Sequence, residues 1–348
     1  MSALTVPARR EKDARLRPVP WRRMVWVTWR QHRLALACTG ALLGVLAVYV
    51  WLVGRQLHHA YAVAIACHPA SSIACSELIR RFNDMNLHLA NGYVLQPVPA
   101  LIGAFVGAPV LARELETGTF RYAWTQGFGR WRWTLAKLVL LAVVVVAAAG
   151  AFSVLLSWYY QPYFSAGNQT VFFSQVSPLT AGLFDLRGAA FAAWTLAAFA
   201  IGALAGMLIR RVVPAIVATL VVYAGLALVT GIFLRRHYLA ALLTRRPNMP
   251  TSAWIMSQWW TKGGRLAFTG LPPMNLLQRF CRPSEVGAGK PSAGTLAQCL
   301  SQHGYTQWTS YQPAGRFWPF QLIEGSWLLA LSLLLIAATV WLVRRRAA

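Results

Sequence analysis

The stretch LVLLAVVVVAAAGAFSVLLSWYY, residues 138–160, contains no charged residue and is preceded by Arg130, Arg132 and Lys137. An α-helix rises about 1.5 Å per residue, so roughly 20 apolar residues cross a hydrocarbon core about 30 Å thick. The stretch is long enough to do so, and basic residues are typical of the border of a membrane span. It therefore predicts a transmembrane helix.

Five more apolar runs of this length contain no Asp, Glu, Lys, Arg or His. They lie at residues 34–53, 93–112, 188–209, 212–234 and 325–343. A soluble fold would have to bury six wholly apolar helices in one core, and the 12% of charged residues would leave too few for a water-facing surface. We therefore expect an all-α polytopic membrane protein with six transmembrane helices, the first of them retained and not removed as a signal peptide.

The basic residues predict the orientation of these helices. The net charge of +24 would suggest nucleic acid in a soluble protein, but here the Lys and Arg residues flank the apolar runs. Nineteen of the 33 fall in segments that are cytoplasmic when both termini are inside. Arg235 and Arg236, directly after the fifth run, conflict with this orientation. No nucleic acid partner is expected.

The segments before the first span are basic. Residues 1–20 are punctuated by proline and predict a flexible cytoplasmic arm. Residues 21–33 interleave Trp with Arg, which predicts an interfacial amphipathic helix along the inner membrane surface; a simple aromatic and basic anchor is the alternative.

The rest of the chain divides at the fifth span. Residues 34–234 hold helices one to five with a cytoplasmic turn at 113–137. Residues 235–324 form an extracytoplasmic segment rich in tryptophan, for which we expect short helices dipping into the outer leaflet, with a soluble outer lobe as the alternative. Residues 325–348 hold the sixth helix and a basic cytoplasmic tail.

Four of the five cysteines lie in the segments predicted to be outside, which suits disulfides in an oxidising space. We predict that Cys67 pairs with Cys75 and Cys281 with Cys299, closing short loops that brace the outer gate. Unpaired thiols remain the alternative, because spacing does not determine connectivity. A metal site is not predicted, since His58, His59, Cys67 and His68 do not complete a zinc-type spacing.

Glycines spaced four apart predict close packing of helices and not a pore. Such pairs occur at Gly40 and Gly44, Gly103 and Gly107, and Gly202 and Gly206. The apolar runs contain none of the ionisable groups that ion-coupled carriers use, and the chain has no Ser/His/Asp arrangement for catalysis. The segment GAGKPS, residues 287–292, departs from a phosphate-binding loop and lies in an outer segment. We expect neither an enzyme nor a nucleotide site on this chain.

The polar turn RELETGTFRYAWTQG, residues 113–127, differs from the other connections. Glu114 and Glu116 lie together at the inner end of the second span. Gly118 can reverse the chain and Thr119 can cap a short helix that ends at Gly127. An ordinary capped connector is the alternative.

At these residues the chain resembles the permease subunits of type-2 ABC exporters, in which an acidic-x-acidic-x-Gly-Thr pattern precedes a short coupling helix. ELETGT, residues 114–119, is similar to that pattern, and the arrangement of six spans with a large outer segment before the last is similar too. WRQHR at 29–33 and YQPAGRFWPFQLIEG at 311–325 resemble the actinobacterial branch.

The resemblance implies an ATP-driven exporter in the bacterial cytoplasmic membrane. The permease would form a homodimer or heterodimer among membrane lipids, with two copies of a separate ATPase subunit that binds Mg-ATP. The residues implied in coupling to that ATPase are Glu114, Glu116, Gly118, Thr119, Arg121, Tyr122 and Gln126. The apolar interior favours a lipophilic or amphipathic substrate, such as a drug, lipid or metabolite. A non-transporting membrane component, lipid-interacting or signalling, and a secondary carrier are the alternatives.

Overall fold

The computed structural model of this protein describes residues 21–68, 72–85, 92, 94–118, 130–166, 177–245, 252–281 and 293–346. The predicted arm at 1–20 lies outside these residues. Within them, six helical segments are long and apolar enough to cross a membrane, which confirms the predicted fold class.

The spans run in alternating directions through one helical bundle. They comprise α1 (Trp21–Ala66), α3 with α4 (Pro97–Ile102 and Pro109–Thr117), α5 (Arg130–Ala166), α7 (Gly188–Ile209), α8 (Val212–Val229) and α11 (Phe317–Arg346). The fifth span continues beyond α8 through a π-helical turn, Thr230–Leu234, and a 3-10 turn, Arg235–His237. Between spans lie α2 (Ile73–Met85), the single turn α6 (Ala181–Phe184), α9 (Met274–Phe280) and α10 (Ala293–Gln302). Helix α7 lies at the centre and packs against α5, α8, α11 and the second span.

Helix α1 is a single helix of 46 residues, so residues 21–33 are helical and continue into the first span without a break. The physical reason is local: no glycine or proline interrupts the chain between Trp21 and Gly40, so nothing ends the helix at the membrane border. At about 1.5 Å per residue, α1 is about 69 Å long, more than twice the thickness of a hydrocarbon core. It therefore extends beyond the membrane.

The second span contains a π-helical turn, Gly103–Gly107, between α3 and α4. The amide of Ala108 donates to the carbonyl oxygen of Gly103 at 3.0 Å, five residues back. Pro109 follows directly and has no amide hydrogen to donate, so the helix restarts there. The wider turn brings the small residues of this span against α7.

The glycine pairs of the second and fourth spans face each other at this crossing. A Cβ atom on Gly202 would lie 2.3 Å from the carbonyl oxygen of Gly103, and one on Gly206 would lie 2.3 Å from that of Ala108. Two of the three predicted pairs therefore form one close backbone contact. By contrast, a Cβ atom on Gly40 or Gly44 would have no neighbour within 4 Å in the described part of this chain.

The segment after the fifth span contains, besides the short helices α9 and α10, a four-stranded antiparallel sheet that was not expected from the sequence. Its strands are β1 (Leu242–Thr244), β2 (Trp254–Lys262), β3 (Arg265–Thr269) and β4 (Tyr305–Gln312), in the order β1-β4-β2-β3. Gly263 and Gly264 both have positive φ and join β2 to β3, as a two-residue hairpin requires. Two of the tryptophans, Trp259 and Trp308, stack on each other across β2 and β4.

Disulfides fasten two of the connecting segments. Cys67 is bonded to Cys75, with a Cα–Cα distance of 5.7 Å, which holds α2 against the end of α1. Cys281 is bonded to Cys299, at 6.0 Å, which joins α9 to α10. Both pairings are those predicted from the sequence. One bond follows the first span and the other follows the fifth, and these two spans run in the same direction, so both bonds lie on the same side of the bundle. We call this side the disulfide end, and the side with Glu114 the turn end.

Candidate functional site

The turn end begins where α4 stops. Gly118 has a φ of +71° and ends the helix in the left-handed conformation, while the hydroxyl of Thr117 donates to the carbonyl of Arg113 at 2.8 Å. Among the described residues, a Cβ atom on Gly118 would meet nothing within 4 Å, so the positive φ is the reason that glycine suits this position. Of the other predicted coupling residues, Thr119, Arg121, Tyr122 and Gln126 lie outside the described residues.

Glu114 binds the start of the third span. Its carboxylate accepts a hydrogen bond from the ammonium group of Lys137, whose side chain is fully buried. The Lys137 nitrogen also lies 5.0 Å from the ring centre of Trp133. A buried ammonium group is stable only with a partner of opposite charge. Glu114 is therefore part of the framework that joins α4 to α5.

Glu116 binds a different span. Its Oε2 atom accepts a hydrogen bond from the backbone amide of Val212 at 3.0 Å. Val212 is the first residue of α8, where unpaired amides and the helix dipole favour a negative charge. The two glutamates of ELE thus reach two different spans, Glu114 to α5 and Glu116 to α8. Sequence analysis identified both acids but neither partner.

We expect Glu114→Ala to lower the stability of the permease by about 2–3 kcal/mol, because Lys137 would stay buried without its counter-charge. Glu116→Ala should change stability by less than about 1 kcal/mol, because that side chain is exposed. Thermal unfolding in detergent measures both effects. The double variant Glu114→Ala/Lys137→Met should recover most of the loss; if it is no more stable than Glu114→Ala, the ion pair is not the cause.

A second group of polar residues is buried near the disulfide end. Arg235 donates from Nε to Glu324 Oε2 at 3.0 Å and from Nη2 to Glu324 Oε1 at 2.8 Å, and Nη2 also donates to Asp185. Glu324 further accepts from Trp194 Nε1 at 2.8 Å and from the Tyr238 hydroxyl at 3.1 Å. We call Asp185, Arg235 and Glu324 the ion cluster. It joins the entrance of α7, the end of the fifth span and α11.

The ion cluster explains the conflict in the orientation signals. Arg235 is buried and paired, so it reports an internal contact and not the membrane side; its neighbour Arg236 is exposed. Burial raises the pKa of Asp185 to about 7; Arg235 opposes this shift and the Glu324 charge adds to it. Sequence analysis missed the cluster, although one signal was present: a basic residue that violated the charge rule and two acids, Asp185 and Glu324, at span borders.

Gln321 extends this connection one helical turn along α11. Its Oε1 accepts from the amide of Ala190 at 2.7 Å, and its Nε2 donates to the carbonyl of Phe184 at 3.0 Å. The side chain lies beside Gly188, which has a positive φ at the start of α7. The start of the central helix is thus held to α11 by both charged and neutral hydrogen bonds.

The histidines and cysteines near the disulfide end have structural contacts. His58 stacks on Trp158 with ring centres 4.6 Å apart and shares a hydrogen bond with its carbonyl oxygen at 3.0 Å. Cys67 lies in a disulfide. Within the described ranges, no group of three or more His, Cys, Asp or Glu side chains is placed to hold a metal ion.

Six apolar spans, joined by buried ion pairs at both ends, define a polytopic membrane protein. The particular family follows from its sequence: residues 40–235, more than half of the chain, match the family model described as ABC-2 membrane transporter related. The chain belongs to this family and is an ABC-2 type permease, a membrane subunit of a transport system. No curated protein matches it. No solved structure matches it either.

Proposed function

We propose that this permease drives export of a lipophilic or amphipathic compound across the bacterial cytoplasmic membrane, energised by ATP on a separate subunit. The observation that carries the proposal is the double attachment of ELE, Glu114 to Lys137 and Glu116 to Val212. A force applied to the turn at 113–127 is therefore transmitted to α5 and α8 as well as to the second span, which leads into the turn. An ordinary connector needs no such attachment.

In this proposal two permease copies, identical or different, assemble with two ATPase subunits. The short segment after Gly118 rests on the ATPase, and closure of the ATPase around Mg-ATP displaces it. The displacement reaches α5 through Glu114 and α8 through Glu116, while the close crossing of Gly103 and Gly202 keeps the second span and α7 together. Such a bundle has two arrangements whose balance ATP binding shifts.

The same proposal places the disulfide end outside the cell and both termini in the cytoplasm. Disulfides persist in oxidising compartments, and the basic residues favour the same orientation. In a Cys38→Ser background, a cysteine introduced at Ala288 should react with an impermeant label on intact cells, and one at Thr125 should not. The reverse labelling pattern would contradict the orientation.

The coupling step is tested with variants that leave the spans intact. Glu116→Ala, Gly118→Val and Arg121→Glu should each reduce ATP-dependent export, and Gly118→Val should reduce it most, on the order of tenfold, because a β-branched residue is strained at positive φ. Gly118→Asn is the matched control, since asparagine tolerates this conformation and should keep most of the activity.

The measurement is ATP-dependent transport in vesicles containing the permease and its ATPase, together with co-purification of the two subunits. Normal permease abundance with lost transport supports coupling through the turn. If the three variants transport normally and still bind the ATPase, the turn is an ordinary connector and the proposal fails.

A further inference from the structure

A cavity of about 810 Å³ lies between α1 and α2 at the disulfide end, apart from both the turn and the ion cluster. Its lining combines three basic side chains, Arg55, His59 and Arg81, with apolar ones that include Leu52 and Leu78. Basic groups over an apolar wall are the complement of an amphipathic anion. The coupling proposal assigns no role to these residues.

The two arginines have no acidic partner in the described part of the chain. Each of the ion pairs formed by α2 belongs instead to Arg80, which binds Glu77 at 2.6 Å and Asp84 at 3.1 Å. The Arg55 guanidinium lies 5.1 Å from the ring centre of Trp51, a contact that leaves its donors free to bind an anion. Two guanidinium groups that line one cavity therefore concentrate positive charge there.

The cavity is part of a rigid hairpin. The Cys67–Cys75 bond ties α2 to α1, and Phe82 is fully buried between Tyr61 and Tyr163, with ring centres 5.8 and 5.1 Å away. Phe82 follows Arg81 directly, so its burial fixes the backbone that carries this arginine. On a neighbouring face of α1, His58 stacks against Trp158 of α5. The backbone positions of Arg55 and Arg81 are therefore set by packing.

The position of the cavity along α1 distinguishes a membrane ligand from a soluble one. Leu52 belongs to the uncharged run at 34–53 and is half exposed, while Arg55 is the first charged residue after that run. Arginine at such a border lies at the level of lipid headgroups. The apolar wall thus continues from the hydrocarbon region up to the guanidinium groups.

We propose that this cavity binds an anionic phospholipid from the leaflet at the disulfide end, with its phosphate on Arg55 and Arg81 and its acyl chains along Leu52. Arginine pairs with phosphate through parallel hydrogen bonds. An anionic headgroup is preferred over a zwitterionic one because it carries no cation of its own to be repelled by the basic lining. The bound lipid would fill the space between α1 and α2 and hold the hairpin at the membrane surface. This site requires neither ATP nor a partner subunit.

The test uses the purified full-length permease alone, incubated with equal amounts of dioleoyl phosphatidylglycerol and dioleoyl phosphatidylcholine and analysed by native mass spectrometry. The wild type should retain phosphatidylglycerol preferentially. Arg55→Gln/Arg81→Gln should weaken that retention roughly tenfold or more, because each charge-assisted contact is strong. Arg80→Gln, the matched control on the same helix, should retain the lipid as the wild type does.

Further measurements distinguish lipid binding from misfolding of a variant and from binding of a water-soluble anion. Melting temperature and mapping of the Cys67–Cys75 bond establish that each variant is folded, and Arg55→Lys, which keeps the charge without the bidentate geometry, should bind at an intermediate level. The proposal would be overturned if Arg55→Gln/Arg81→Gln retained phosphatidylglycerol as well as the wild type does. An equal loss with Arg80→Gln would also overturn it, as would displacement of the lipid by millimolar glycerol 3-phosphate, which would indicate a water-soluble anion. Because no ATPase is present, these outcomes do not depend on ATP-driven export.

Discussion

Replacing Arg235 with methionine is expected to lower the melting temperature of the permease by on the order of 10 °C. The substitution leaves Glu324 and Asp185 without their counter-charge, and breaking a buried pair in this way costs about 3–5 kcal/mol. Glu324 is completely buried, so water cannot replace the lost partner. Arg236→Met is the matched control, because that neighbouring side chain is exposed, and it should leave the melting temperature almost unchanged.

The loss of stability caused by Arg235→Met should become larger as the pH rises. The pKa of Asp185 is raised from 3.8 to about 7, so the folded state favours its neutral form. The stability that comes from this protonation is fully present below about pH 4 and is lost as pH rises through about 7. Arg235 opposes this rise, so its removal should raise the pKa of Asp185 further, and the deficit of Arg235→Met should be smaller at pH 5 than at pH 8. A triple variant that adds Asp185→Asn and Glu324→Gln should recover part of the loss at pH 8.

Unfolding followed by fluorescence-detected size exclusion in detergent measures these differences. Equal melting temperatures for Arg235→Met and Arg236→Met would show that the ion cluster does not hold the spans together. A deficit that grows toward low pH would contradict the role assigned to the acidic side chains.

The second large effect is expected at Gly202. Adding only a methyl group, Gly202→Ala should destabilise the permease by about 2–4 kcal/mol, because the new Cβ would lie 2.3 Å from a backbone oxygen that belongs to a packed helix. The second span and α7 would have to separate. Gly150→Ala is the control: it lies within α5, and its Cβ would have no neighbour within 4 Å in the described structure.

Of the two alanine variants, only Gly202→Ala should lower the stability of the permease. Alanine inside a helix is favoured over glycine by about 0.5–1 kcal/mol, so Gly150→Ala should be neutral or slightly stabilising. Thermal unfolding of the two variants beside the wild type makes the comparison. If Gly202→Ala matches Gly150→Ala, the crossing of the second span with α7 is looser than its geometry indicates.

The spans were predictable because the membrane imposes a length and a composition that a single apolar run displays. The fourth and fifth spans begin where expected, at Gly188 and Val212. The first was placed correctly, but its continuation from Trp21 to Ala66 was not, because helix ends depend on local breakers and no glycine or proline lies between Trp21 and Gly40. The sheet was missed although KGGR at 262–265 carries a hairpin signal, because the tryptophans were interpreted as interfacial anchors.

The candidate site was predictable only in its residue types. The pattern ELE singled out Glu114 and Glu116, since acids are rare in this chain and the spacing resembles a coupling motif. Their partners, Lys137 and the Val212 amide, come from other spans. Side chains that meet across helices leave no fixed spacing in the sequence.

The sequence by itself determined the six spans, the polar turn and the residues of the two disulfides, because apolar length, charge and cysteine number are properties of the chain. Only the tertiary structure decided that Asp185, Arg235 and Glu324 meet, and that Gly202 crosses Gly103. The physical reason is that the neighbours of a buried charge or a backbone oxygen are determined by how the helices pack, and residues far apart in the sequence can become those neighbours. Asp185 and Glu324 are 139 residues apart in sequence, yet both bind one guanidinium group.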